Sequence, residues 1–63
     1  MEYKTKIVEC RSLLSEPYPD ITDLENTIKY MGYEGWQLIA MSSYAQETDP
    51  RRIIIYTLVF GKS

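Results

Sequence analysis

Cys10 is the one side chain here suited to act as a nucleophile, and the chain contains no histidine to take its proton. A thiol without an adjacent base is a poor nucleophile near neutrality. Cys10 is therefore expected to be structural, at the end of a strand. Asp20 with Asp23, and Glu47 with Asp49, are close enough in sequence for general acid–base work. Each pair has a simpler role. The first lies where a helix begins and complements its dipole; the second falls in a polar loop and keeps it solvated. With a single cysteine and no histidine, neither an internal disulfide nor a Cys/His zinc site can form. No enzymatic activity, metal or cofactor is expected.

Binding chemistry has more to work with. Arg51 and Arg52 follow Asp49-Pro50 and could hold an anion with the helix N-terminus or a neighbouring subunit. Charges that stop an apolar strand from aggregating would look the same, and that role is preferred. Among the aromatic residues, Trp36 follows a helix-ending glycine and precedes Leu38 by two positions, which suits a wedge between helix and sheet. Tyr18, between Pro17 and Pro19, and Tyr44, at a hairpin mouth, have no such duty. Aromatic contact area is enriched at interaction hot spots, so Tyr18, Tyr44, Arg51 and Arg52 are the candidate binding residues.

The elements that must position these groups fit in one domain, residues 1–63. A chain of this length buries only about 60% of the surface its unfolded form exposes. With disulfides and metals excluded, oligomerisation is the remaining supplement. Seven basic against nine acidic residues give a net charge of −2 and a pI near 4.9, so a nucleic acid is not expected as partner. No run approaches the ~20 apolar residues of a membrane span, and Met1-Glu2-Tyr3 leads directly into an alternating segment rather than a leader peptide. A cytoplasmic location and no membrane association are the expectations.

Tyr3 to Cys10 alternates as a strand, with Lys4 and Lys6 on one side and Tyr3, Thr5 and Ile7 on the other. Two prolines make Ser12 to Asp20 a loop. Leu24, Ile28 and Met31 then recur at helical spacing. Thr22 and Glu25 match a capping box, so the helix should start between Asp20 and Thr22 and end at Gly35. Gly32, one turn earlier, is attributed to close packing of helix on sheet. Trp36 to Tyr44 reads as a second strand, Ala45 to Arg51 as a hairpin loop, and Ile53 to Phe60 as a third strand. The first strand can pair beside the second in parallel or beside the third antiparallel. Because the third is the most continuously apolar it should be central, giving an α+β domain: one helix on a three-stranded antiparallel sheet, order 2-3-1.

Strand three is apolar on both faces, and one helix can cover only one. The other face would expose Ile39, Met41, Ile53 and Ile55, a patch larger than soluble monomers ordinarily carry. A second copy of the chain is the expected cover, with those four residues at the interface.

The segment Gly32-Tyr33-Glu34-Gly35-Trp36-Gln37-Leu38, with Tyr3-Lys4 before it and Leu58-Val59-Phe60 after, resembles the domain-of-unknown-function family 4177. Its small bacterial and phage members open with a Tyr-Lys-Val-type strand and carry a Gly-x-Glu-Gly-Trp-Glu-Leu-like turn; here Gln37 replaces the usual second Glu. The resemblance implies a strand-helix-strand-strand fold and a phage or mobile-element setting, with no catalytic or binding residues to carry over. The functional expectation is a homo-oligomeric, non-enzymatic module that captures a host protein. The alternative is an oligomer holding an anionic small molecule, such as a nucleotide, at its subunit interface.

Overall fold

A computed structural model covers residues 1–63 and contains β1 (Glu2–Leu13), α1 (Thr22–Tyr33), β2 (Gln37–Thr48) and β3 (Arg51–Lys62). The sheet order is β1-β3-β2 and both pairings are antiparallel. The strand that is apolar on both sides takes the centre, where both of its edges are paired.

All three strands outrun the limits read from side-chain pattern. The loop expected at Ala45–Arg51 shrinks to Asp49 and Pro50, joined by a cis peptide, because Glu47 and Thr48 continue the ladder opposite Arg52 and Arg51. Likewise Ser12 and Leu13 belong to β1 rather than to the following loop. A ladder is held by backbone hydrogen bonds, so it persists where both faces carry polar side chains and alternation fades.

Helix α1 begins at Thr22, within the expected window, but not through a capping box. The N-cap position is Ile21, and no side chain caps it. Asp20 organises the entry instead: its Oδ1 accepts from the Thr22 hydroxyl at 2.6 Å and from the Thr22 amide at 3.0 Å. The C-terminus follows expectation. Gly35 takes φ +87, the Gly35 amide donates to the Gly32 carbonyl at 3.0 Å, and the Trp36 amide donates to the Met31 carbonyl at 2.9 Å. Those two bonds satisfy carbonyls that the helix end leaves free. Gly32, however, is not explained by close packing, since a Cβ there would meet nothing within 4 Å.

The core is thin. Six hydrophobic residues are buried: Val8 and Cys10 from β1, Leu24 and Met31 from α1, Leu58 and Phe60 from β3. Ile21, Ile28, Trp36, Leu38 and Tyr56 pack around them. The accessible surface is 4743 Å², against about 4,200 Å² for a typical folded monomer of this mass. The radius of gyration is 13.3 Å, against about 10.6 Å for a compact domain of this length. Both excesses have one cause. The extents are 43 × 17 × 12 Å, and a helix of 12 residues, about 18 Å long, shelters less than half of so long a sheet. No helix is long and apolar enough to cross a membrane.

Candidate functional site

The register sorts every strand residue onto one of two faces. Lys4–Phe60–Leu38, Lys6–Leu58–Met41, Val8–Tyr56–Ser43 and Cys10–Ile54–Ala45 form successive rows on the helix side. The opposite face carries the rows Thr5–Val59–Ala40, Ile7–Thr57–Ser42, Glu9–Ile55–Tyr44 and Arg11–Ile53–Gln46, with Tyr3 and Gly61 beyond them. Nothing covers this second face. Its rim is exposed at Ile7 (69%), Tyr3 (64%), Tyr44 (56%) and Ile39 (51%), while Ile53, Ile55 and Val59 fill its centre half-buried.

Of the four residues assigned to that face from sequence, three are on it. Ile53 and Ile55 follow the alternation of β3. Ile39 is placed by Gly61, whose α-hydrogen side faces away from buried Phe60: a Cβ built there would lie 3.5 Å from Ile39 Cδ1. Met41 is the correction. A register shift between Leu38 and Ala40 adds one residue to β2, so Met41 lies opposite Leu58 on the helix side. On this edge strand it is 52% exposed, although Leu58 beside it is fully buried.

The candidate binding residues do not gather into one site. Arg51 lies on the helix-free face in the row of Leu13 and Thr48, whereas Arg52, the next residue, points to the other face between Ser12 and Glu47. Glu47 Oε1 is 3.8 Å from Arg52 Nε, too far for a hydrogen bond, and that Nε is buried without a partner. Tyr44 stands four residues of β3 away from Arg51, roughly 13 Å along the strand. Tyr18 is 81% exposed in the loop before α1. An open depression of about 480 Å³ beside Arg51 is lined also by Asp49, Gln46 and Thr48, so its positive charge is opposed by a carboxylate.

The remaining candidates for chemistry have structural duties. Cys10 is buried in the core. Its neighbours Glu9, Asp20 and Asp23 line a cavity of about 360 Å³, where Asp20 already accepts two hydrogen bonds. The Thr22 hydroxyl, then the Thr22 amide, hold the Asp20 carboxyl below its ordinary pKa, slightly opposed by desolvation. No cluster of three metal-ligating side chains occurs. Trp36 packs against the core from the α1–β2 turn as expected. Its ring also carries the ammonium groups of Lys4 at 5.0 Å and Lys62 at 5.3 Å, two cation–π contacts that close this end of the sheet.

Two exposed residues were not singled out from sequence. Tyr30 and Tyr33 are 61% and 83% exposed on α1. They stand three residues apart, clear of the Leu24–Ile28–Met31 stripe, and that offset was the available signal.

Comparison with family models, curated proteins and solved structures finds no match to this chain. The strand-helix-strand-strand order implied by the Gly32–Leu38 resemblance is the order observed.

Proposed function

We propose that this chain is a non-enzymatic module that assembles with copies of itself through the helix-free sheet face and captures another protein on its opposite, tyrosine-bearing side. The uncovered face around Ile53, Ile55 and Val59 carries this reading. The widest cross-section of the whole chain, 43 × 17 Å, bounds the sheet face at roughly 700 Å² per copy, just under the ~800 Å² that each partner contributes to a standard interface. Two such sheets stack about 10 Å apart with their apolar side chains interleaved. Assembly would remove the excess surface described above and leave α1 outermost.

That arrangement turns Tyr30, Tyr33 and Tyr18 outward on each copy. Tyrosine supplies large contact area at low entropic cost, and repetition of the same patch adds avidity. The divergence of Arg51 and Arg52, with Arg52 turned toward Glu47, supports a protein partner over a small anion held at the interface.

Size-exclusion chromatography with light scattering tests the assembly. The wild type is expected at two or more chain masses and Ile55→Lys at half that value; a wild-type monomer at high concentration overturns the reading. For capture, tagged wild type and a Tyr30→Ser/Tyr33→Ser double variant are compared as bait. A protein retained by the first and lost by the second supports the tyrosine surface, and equal retention removes it.

A further inference from the structure

We propose that the free edge of β2 is a second self-association site, at which β2 of one copy pairs antiparallel with β2 of another. The two edges of the sheet differ in the property that governs edge pairing. β1 carries Glu2, Lys4, Lys6, Glu9 and Arg11, the interspersed charge that blunts an exposed edge. β2 carries no charge and no proline from Gln37 to Gln46, with Glu47 its one ionised group. A strand of 12 residues, exposed throughout Ile39–Thr48, is long for an unprotected edge. No side chain donates to or accepts from its outer edge, and no loop covers it. Every backbone group on that edge is available to a partner strand.

The sequence of β2 also fits itself. Antiparallel pairing of two copies about an axis normal to the sheet keeps like faces together, so directly opposed residues must share a face. The regular part of β2 runs from Ala40, after the bulge, to Thr48, before the turn. Laying that run on its own copy with full overlap puts the axis at Tyr44. Tyr44 then meets Tyr44 of the second copy, Ser43 meets Ala45, Ser42 meets Gln46, and Met41 meets Glu47. An aromatic cross-strand pair sits at the centre, small residues flank it, and no like charges oppose each other. The bulge ends the pairing on one side and the hairpin turn on the other.

Edge pairing stands without the face interface, but the two combine in one way. The edge axis is normal to the sheet and the stacking axis lies parallel to it; where the two intersect, at the level of Tyr44, they generate a closed tetramer of D2 symmetry. That tetramer rests on the reading given under Proposed function.

The test introduces charge on the edge without touching the stacking face. Ser43 and Ala45 lie on the helix side at the outer edge of the sheet, and both are exposed; a Ser43→Lys/Ala45→Lys variant should fold normally, which circular dichroism checks. Light scattering is expected to give four chain masses for the wild type and two for this variant. An equimolar mixture with Ser43→Glu/Ala45→Glu, which also gives two alone, should restore four. An unchanged mass for the lysine variant overturns edge pairing even if Ile55→Lys halves the mass, and that second result leaves the face interface standing. A wild-type dimer that only the edge variant dissociates supports the edge and removes the face. Failure of the charge-complementary mixture to restore the mass counts against direct strand pairing.

Discussion

Ile39 and Met41, two positions apart in β2, stand on opposite faces of the sheet. Ile39 lies over Gly61, and Met41 lies beside Leu58. Strict alternation would put them together; the extra residue between Leu38 and Ala40 reverses the phase of everything after it.

Their separation predicts different outcomes for one substitution at the two positions. Ile39→Lys places a charge on the proposed stacking face and should weaken face-driven assembly by roughly tenfold or more. Met41→Lys should leave that assembly unchanged. Sedimentation over a concentration series reads both; equal effects would mean that the face is not the interface.

Gly32 and Gly35 should respond in opposite directions to alanine. At Gly32 a Cβ enters open space and the backbone is helical, so Gly32→Ala should stabilise the fold by about 0.5–1 kcal/mol. At Gly35, φ is +87, and an alanine there should cost about 1–2 kcal/mol. Urea denaturation of the two variants checks the signs.

Asp20 should matter most while ionised. Its carboxyl is held below its ordinary value by the Thr22 hydroxyl and amide. A lowered folded-state value means that the contribution is fully present above the unfolded pKa, about 3.9, and is lost as pH falls through the lower folded value. Thermal melts between pH 6 and strong acid should show the wild type converging on Asp20→Asn, which keeps an acceptor oxygen without the charge, while Asp20→Ala stays below both.

Leu58 is fully buried at the centre of the helix-side face. Leu58→Ala should cost about 2–5 kcal/mol, a large part of the ~0.1 kcal/mol per residue that holds a small domain together. Loss of the cooperative melt is the expected result. A melt shifted by only a few degrees would show that the core lies elsewhere.

Much of the architecture was written in local pattern. The helix stripe at Leu24, Ile28 and Met31, the terminal Gly35 and the doubly apolar Ile53–Phe60 run determine one helix, three strands and a central third strand, because periodicity and glycine conformation are properties of neighbouring residues. The surplus of apolar sheet over helix follows from the same residues. Tertiary structure decided what depends on partners distant in sequence. It extended the ladder through polar Glu47, Thr48, Arg51 and Arg52, where backbone pairing rather than side-chain burial holds the strands. It assigned helix entry to Asp20 instead of Thr22 and Glu25, and it sent Arg51 and Arg52 to opposite faces once their strand was defined. Above all it moved Met41 across the sheet, because a bulge belongs to the pairing of two strands and leaves no period in either one.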